Sequence, residues 1–214
     1  MNKVLKNSFR IILLSLLLFL IAGCCNGKQT NVKAAGQRKD QRSVWTVYWD
    51  AEEGTKEFRR LEKRLDEVCL FGAYFEEDGK LLLPEELTFD KRVAKKKKQL
   101  AEYLTIVNDR VLSDGGKEYK KTEFLQELLN DQERRKEHID EIIALAKAER
   151  FDGVEIDYER IWKDCETKDS FLPFVKELYA ATTANDLKLR VVLEPGTPFN
   201  DIELPPGPKY VVML

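Results

Sequence analysis

Histidine is almost absent from this sequence, which has only one, His138, among its 214 residues. Catalytic Ser-His-Asp triads and Cys-His pairs both need a histidine to take up the proton of the nucleophile. His138 lies beside charged residues in a predicted helix, so we expect it at the protein surface. The sequence therefore gives no support to a serine or cysteine hydrolase.

Cysteine is scarce as well. Of the four cysteines, Cys24 and Cys25 are adjacent near the N-terminus, which leaves only Cys69 and Cys165 in the body of the chain. Two isolated thiols cannot form a disulfide framework, and their spacing is not that of a metal site. We expect both to be buried or idle thiols.

An excess of basic charge is missing too. The 36 Lys and Arg residues are balanced by 38 Asp and Glu residues. Without the three basic residues of the N-terminal segment described below, 33 remain against 38, a net charge near −5. A mildly acidic domain does not attract the phosphate backbone of nucleic acids, so we expect no nucleic-acid partner.

The N-terminal segment is strongly apolar. Residues 1–10 carry three positive charges, and residues 11–22 are apolar apart from one serine. This run is short for a membrane span but typical of a signal peptide. The sequence Ile21-Ala22-Gly23-Cys24 that ends it resembles a bacterial lipobox. We therefore predict a signal peptide over residues 1–23 and a lipid on Cys24, with an uncleaved signal anchor as the alternative.

Residues 24–42 are predicted to form a flexible tether, because they lack hydrophobic periodicity and carry Gly, Gln, Asn and Lys. This division leaves residues 43–214 as the folded domain. We expect an extracytoplasmic lipoprotein of the cell envelope. It would be attached to a membrane through the lipid on Cys24 and monomeric when full length.

Strands and helices alternate along the folded domain. Apolar, β-branched and aromatic runs predict six strands, at residues 44–49, 67–74, 103–107, 151–158, 187–193 and 209–214. Amphipathic segments predict helices at residues 55–65, 90–101, 130–149 and 170–184. Such alternation predicts parallel strands, in either a doubly wound sheet or a barrel. Because no glycine-rich phosphate loop follows any strand, we predict an α/β fold of the (β/α)8 TIM barrel type, incomplete and containing about strands 1–6.

The fourth predicted strand carries an unusual row of carboxyl groups. Side chains alternate between the faces of a strand, so Glu155, Asp157 and Glu159 share one face. In a barrel this face points inward, where like charges raise the pKa of at least one carboxyl. A carboxyl that stays protonated near neutral pH can act as a general acid. Glu159 comes last, at the C-terminal end of the strand, where barrel active sites form.

Two other interpretations of the three carboxyl groups are open. The groups could form the solvent face of an antiparallel edge strand, or they could bind a hard cation such as Ca²⁺ or Mg²⁺. The alternation of strands and helices argues against an edge strand. The preceding strands supply few carboxylates to complete a metal shell.

The segment Asp152-Gly153-Val154-Glu155-Ile156-Asp157-Tyr158-Glu159 resembles the DGxDxDxE signature of glycoside hydrolase family 18, the chitinase and peptidoglycan N-acetylglucosaminidase group. It falls on the fourth strand, where the family carries it, and the resemblance extends from about Val44 to Leu214. It implies hydrolysis of β-1,4-linked N-acetylglucosamine-containing polysaccharide, peptidoglycan or chitin, by a substrate-assisted retaining mechanism. It also implies that the chain uses no cofactor and no metal.

The resemblance implies a role for each inward carboxyl group. Glu159 would protonate the leaving glycosidic oxygen and later activate water. Asp157 would orient the 2-acetamido group of the sugar and stabilise the positive oxazolinium intermediate. Glu155 takes the place of the family's middle aspartate, which shares a proton with the next acid. Asp152, on the opposite face of the strand, is expected to be structural.

Substrate-binding positions are also expected. Tyr48, Trp49, Phe75 and Met213 resemble the family's sugar-facing positions on the first, second and sixth strands. Two further candidates, Asn108 and Glu194, end the third and fifth predicted strands at the catalytic rim. Each could bind a sugar hydroxyl or cap a turn.

The family's barrel has two further strands, and its sixth strand continues past Met213 into a Tyr-Asp pair that helps to hold the acetamido group. We therefore expect residues 43–214 to be a partial barrel from a truncated gene product or partial reading frame, whose full-length parent is the enzyme. The alternatives to a hydrolase are a catalytically silent sugar-binding member of the same fold, an inactive fragment and a structural lipoprotein.

Overall fold

Strands and helices alternate in the structure, a computed structural model that describes residues 40–85, 87, 100–163 and 165–214. Its strands are β1 (Ser43–Val47), β2 (Glu67–Glu76), β3 (Leu81–Leu82), β4 (Ala101–Val111), β5 (Lys117–Glu118), β6 (Gly153–Asp157), β7 (Lys188–Leu193) and β8 (Lys209–Val212). Its α-helices are α1 (Ala51–Leu61), α2 (Glu123–Asn130), α3 (Gln132–Ala148) and α4 (Cys165–Ala184). Short 3₁₀ helices cover Tyr48–Asp50, Glu62–Arg64 and Ile161–Lys163.

Six strands pair in parallel in the order β1-β2-β4-β6-β7-β8, which is also their order along the chain. An order without reversal is that of a (β/α)8 barrel, whereas a doubly wound sheet reverses its strand order at a switch point. The predicted class, an incomplete (β/α)8 TIM barrel, is confirmed. The short strands β3 and β5, which were not predicted, extend β2 and β4 as antiparallel ribbons.

The apolar core lies between the sheet and the helices. Its fully buried side chains include Leu70, Phe75, Ile142, Phe171 and Phe174. Burial of a side chain of this size stabilises the fold by roughly 1.5–3 kcal/mol. The opposite face of the sheet carries a much smaller apolar cluster of Cys69, Ala101 and Tyr103. Most of the interior on that side is therefore available to polar groups.

The helices differ from the predicted ones mainly at their ends. Helix α3 begins after Asp131, whose carboxylate accepts hydrogen bonds of 2.9 Å from two backbone N–H groups of the first turn. This capping fixes the start. The predicted helix over residues 90–101 lies outside the described residues as far as residue 99, and Ala101 belongs to β4 instead. Helix α2 was not predicted, because residues 123–130 were included in the polar stretch that leads to the next helix.

The prediction for His138 is wrong, because its side chain is only 2% exposed. Its Nε2 lies 2.8 Å from the hydroxyl of Tyr158, and its ring lies beside the rings of Phe75 and Phe174. Burial lowers its pKa, although the carboxylate of Glu141 opposes the effect. The hydrogen bond to Tyr158 offsets part of the cost of burying a neutral imidazole in an apolar core.

The signal peptide predicted over residues 1–23, Cys24 and the tether as far as residue 39 lie outside the described residues. No α-helix in the part of the chain that the structure describes is long and apolar enough to span a membrane.

Candidate active site

Strand β6 and the two residues after it place the three predicted carboxyl groups at increasing exposure. Glu155 is fully buried, Asp157 is 6% exposed, and the side chain of Glu159 is 29% exposed. The intervening side chains of Val154 and Ile156 are fully buried among the helices. The acidic face therefore points away from the helices, as the alternation predicts.

The Asp-Gly pair at the start of β6 has a structural explanation. A Cβ atom on Gly153 would lie 2.5 Å from the carbonyl oxygen of Lys188 and 2.7 Å from the ring of Tyr103. Only glycine fits between those neighbours. Asp152 accepts a hydrogen bond of 2.8 Å from the backbone N–H of Glu102, which ties β6 to β4.

Glu155 is held in one place by partners from four other strands. Trp45 Nε1 and Thr105 Oγ1 donate hydrogen bonds to its Oε1 over 2.7 Å and 2.8 Å. Arg190 Nε lies 2.7 Å from its Oε2, and both side chains are fully buried. The thiol of Cys69, whose pKa is raised by burial, lies 3.6 Å from the same oxygen. The structure thus gives Glu155 a permanent counterion, where the resemblance implied a proton shared with the next acid.

Arg190 links Glu155 to a second buried carboxylate. Its Nη1 lies 2.5 Å from Glu67 Oε2, and Lys209 Nζ lies 2.6 Å from the same oxygen. Two carboxylates are therefore matched by two cations inside the sheet. This balance limits the desolvation penalty that buried charges otherwise carry.

Asp157 is the carboxyl group with the raised pKa. Burial is the largest cause, and the charges of Glu159 and Glu155 act in the same direction. The positive charge of Lys120 opposes them, and the pKa of Asp157 settles at about 7. Asp157 is therefore about half protonated at neutral pH. A raised pKa was expected from the crowding of like charges, but burial is the larger cause at this residue.

Glu159 lies at the rim, two residues beyond the end of β6. Its Oε1 is 3.0 Å from Lys120 Nζ. Its backbone is held by Asn108, which accepts a hydrogen bond of 2.9 Å from the Glu159 N–H and donates one of 3.1 Å to its carbonyl oxygen. Glu194 Oε2 accepts a hydrogen bond of 2.7 Å from the N–H of Arg160. The loop that carries Glu159 is thus fixed on both sides.

The contacts of the two rim candidates, Asn108 and Glu194, differ from those expected of sugar-binding residues. Asn108 is fully buried and binds backbone groups through both atoms of its amide, so it has no surface to offer a sugar. Glu194 is half-buried, and its carboxylate binds the backbone next to Glu159. Both residues hold the loop, which is the turn-capping alternative.

The aromatic candidates separate into two groups. Tyr48 and Trp49 follow β1 at the same edge of the sheet as Glu159, with their rings in edge contact at 5.0 Å. Trp49 is 63% exposed and also contacts Phe71 at 5.6 Å. These rings, with that of Tyr119, line a small cleft of about 40 Å³. Aromatic faces of this kind are suited to stacking on sugar rings.

Phe75 belongs to the other group, and its predicted sugar contact is wrong. Its side chain is fully buried on the helix side and packs against Phe124 at 4.9 Å. The physical reason is a register shift between β2 and β4 at residues 71–73. Such an irregularity reverses the inward and outward alternation that follows it. Phe71 therefore faces the site and Phe75 does not.

Met213 follows β8 at the same edge of the sheet. Its backbone N–H donates a hydrogen bond of 2.9 Å to the carbonyl oxygen of Leu193, and its side chain is half-buried. By alternation it shares the inward face with Lys209, whose ammonium binds Glu67. A sugar contact of Met213 stays a prediction.

Two cations at the site were missed from the sequence. Arg190 is the one charged residue in the interior of the apolar run 189–193, and an isolated charge on a buried strand is a signal that could have identified it. Lys120 lies in a polar stretch with many other charges, which offers no such signal. Among the described residues, no group of three His, Cys, Asp or Glu side chains has an arrangement that could hold a metal ion.

The chain is similar in fold to solved chitinases and to a spore cortex-lytic enzyme. A class V chitinase from Nicotiana tobaccum is 15% identical and has a TM-score of 0.61, over 78% of this chain and 48% of its own. A class V chitinase from Pseudomonas fluorescens is 22% identical with a TM-score of 0.62, over 75% and 48%. The spore cortex-lytic enzyme SleL of Bacillus cereus is 19% identical with a TM-score of 0.57, over 74% and 37%.

The chain thus spans about half the length, or less, of these solved structures. At such low sequence identities the similarity to these structures shows the fold alone. Among curated proteins, no match was found. The family model of glycosyl hydrolases family 18 matches residues 44–206, most of the folded domain and the whole carboxylate segment. The chain therefore belongs to glycosyl hydrolases family 18.

Proposed function

We propose that this protein hydrolyses β-1,4-linked N-acetylglucosamine-containing polysaccharide by a substrate-assisted retaining mechanism, with Glu159 as the general acid and base. The observation that carries the proposal is the pair formed by Glu159 and Asp157. Glu159 stands half-exposed at the C-terminal edge of the sheet, where barrel active sites form. Asp157, directly below it, has a pKa of about 7 and so changes charge near neutral pH.

The chemistry assigns one task to each of these groups. Glu159 gives its proton to the glycosidic oxygen as the bond to the anomeric carbon breaks and the 2-acetamido oxygen of the sugar attacks that carbon. Asp157 binds the acetamido N–H and stabilises the positive charge of the resulting oxazolinium ring. Water then attacks the anomeric carbon, and Glu159 recovers its proton from that water.

The carboxylate of Glu155 supports this chemistry from below. Its four partners hold it rigidly, and Arg190 lies beside it as a buried counterion. A fixed negative charge beneath Asp157 favours a developing positive charge on the sugar. Because the partners are already in place, no reorganisation is needed during the reaction.

Peptidoglycan is the proposed substrate in preference to chitin. A lipid anchor would hold the protein close to the cell wall, which favours a wall polymer. The solved relatives include a spore cortex-lytic enzyme, and also a mutant of the tobacco chitinase in complex with NAG4. Both polymers contain the β-1,4-linked N-acetylglucosamine that the mechanism requires.

The deciding experiment compares the full-length protein with its Glu159→Gln variant on peptidoglycan and on chitooligosaccharides, with products identified by mass spectrometry. Glutamine keeps the shape of the side chain but cannot donate or recover the proton. We expect fragments ending in N-acetylglucosamine from the wild type and a rate at least about 100-fold lower from the variant.

The matched control is Glu203→Gln, which makes the same change at an exposed glutamate in the loop after β7 and should leave the rate unchanged. Absence of cleavage by a folded wild-type protein that still binds the glycan would replace the proposal with a sugar-binding function. Equal rates for the wild type and Glu159→Gln would remove Glu159 from the mechanism.

We also propose that Cys24 carries a lipid and that the domain lies on the outer side of a membrane. The lipobox resemblance of residues 21–24 supports this location. We expect Cys24→Ala to release the protein from the membrane fraction, whereas Cys25→Ala should leave it there. Mass spectrometry of the mature N-terminus tests the same point, and an unmodified Cys24 in the mature protein would refute it.

A further inference from the structure

Lys120 is a charged residue beside the general acid Glu159, and the proposed mechanism assigns it no role. Its Nζ atom is buried, 3.0 Å from Glu159 Oε1 and 3.7 Å from Asp109 Oδ1. It contacts Glu159 as an ion pair without the alignment of a hydrogen bond. A positive charge this close to a carboxyl group favours the ionised form. The first step of the proposed mechanism needs Glu159 in its protonated form.

The contact between Lys120 and Glu159 is imposed from both sides. Lys120 has a φ of 56°, in the left-handed region that residues other than glycine rarely adopt. Asp109 Oδ1 accepts a hydrogen bond of 3.1 Å from its N–H. The amide of Asn108 donates to the carbonyl oxygens of Lys121 and Glu159, at 3.2 Å and 3.1 Å. The buried side chain of Asn108 thus holds the loops of Lys120 and Glu159 together. A residue that is held in a rarely populated backbone conformation, as Lys120 is, points to a function.

The charges that face the ammonium come from two strands and their ends. Asp109 faces it from β4, and Glu159 faces it from the loop after β6. Asp157 on β6 is close enough for the charge of Lys120 to lower its pKa, against the stronger effect of burial. Glu155 lies deeper and is matched by Arg190. From β2, the ring of Phe71 covers the ammonium at 5.8 Å and contributes no charge.

We propose that Lys120 is a positioning residue whose positive charge, 3.0 Å from Glu159 and close to Asp157, sets the pH range of hydrolysis. This inference rests on the proposed function of the same site. The fraction of protein that carries a proton on Glu159 limits the first step. Because the positive charge of Lys120 disfavours the protonated form of Glu159, hydrolysis declines at a lower pH on the alkaline side than it would without Lys120.

The first test measures kcat/KM against pH for the full chain and for Lys120→Met, which keeps the length and apolar stem of the side chain. We expect the alkaline limb of the profile to move up by about one pH unit in the variant, the lower end of the effect of one charge at this distance. Lys120→Arg keeps the charge and should restore the wild-type limb. Coincident profiles for the wild type and Lys120→Met would overturn the inference.

The matched control is Lys121→Met, which removes the same charge from the neighbouring exposed residue. Its profile should follow the wild type, since its side chain faces solvent. An equal displacement in both variants would indicate a general effect of net charge and would also overturn the inference.

A second measurement does not depend on activity. Carbon-13 NMR of the Asp157 carboxyl, assigned with Asp157→Asn, gives its titration midpoint in the full chain with and without Lys120. The midpoint of about 7 should rise in Lys120→Met and remain in place in Lys121→Met. If the wild type hydrolyses no glycan, the proposed function fails, and this titration still decides the role of Lys120. An unchanged midpoint would refute it.

Discussion

Replacing Arg190 with Met should lower the free energy of unfolding by about 3–5 kcal/mol, because it leaves Glu155 buried without a counterion. Arg190 and Glu155 are both fully buried. Burial by itself lowers the pKa of the guanidinium, but Glu155 and Glu67 outweigh it and raise the pKa overall, so the group stays charged. Glu67 keeps Lys209 as a partner at 2.6 Å. The loss therefore falls on Glu155, and urea unfolding at neutral pH would measure it.

Two variants separate the charge effect from the loss of packing. Adding Glu155→Gln to Arg190→Met removes the unmatched charge, so the double variant should recover much of the lost stability. Arg60→Met breaks an exposed ion pair with Glu57 on α1 and should leave the free energy of unfolding close to that of the wild type. If Arg190→Met unfolded at the same urea concentration as the wild type, the buried pair would have no net importance for stability.

The carboxylate strand could be predicted because its information is local. Val154 and Ile156 alternate with Glu155 and Asp157, and only the apolar pair can face the helices without a large desolvation penalty. The direction of the acidic face follows from that alone. The position of Glu159 at the active edge then follows from the parallel order of the strands.

Phe75 shows where the same reasoning fails. Alternation along β2 assigns it to the face of Phe71, but the register shift at residues 71–73 reverses the faces. The shift depends on how β2 pairs with β4, which the alternation along β2 does not specify. The prediction for His138 fails for a related reason, because its hydrogen-bond partner, Tyr158, follows β6 and lies 20 residues away along the chain.

The cations of the site could not be placed from the sequence, because their partners are distant along the chain. Arg190 binds Glu67 across 123 residues, and Lys120 reaches Glu159 across 39. A chain rich in charged residues offers many such pairs, and only the fold selects among them. The selected pairs place Arg190 beside Glu155 and Lys120 beside Glu159. These counterions, which the motif does not specify, set the charge environment in which the three carboxyl groups act.

Replacing Asp157 with Asn should stabilise the fold, and the gain should grow with pH. In the folded protein the pKa of Asp157 is raised to about 7, chiefly by burial, from an ordinary value of 3.8. Between these values the folded state holds a proton that the unfolded state has lost. The stabilising contribution of that proton is fully present below about pH 4 and is lost as the pH rises through about 7. Asparagine stays neutral throughout and avoids this loss.

Each pKa unit corresponds to about 1.4 kcal/mol, so the gain from Asp157→Asn should approach an upper limit of roughly 4 kcal/mol above neutral pH and vanish near pH 4. Urea unfolding of both proteins across this range would measure it. The control is Asp201→Asn at an exposed position, for which the difference should stay flat with pH. A flat difference for Asp157→Asn would mean that the folded protein carries Asp157 ionised at no cost. If the gain is found and hydrolysis falls, the site retains a buried carboxyl for its chemistry at the expense of stability, as active sites commonly do.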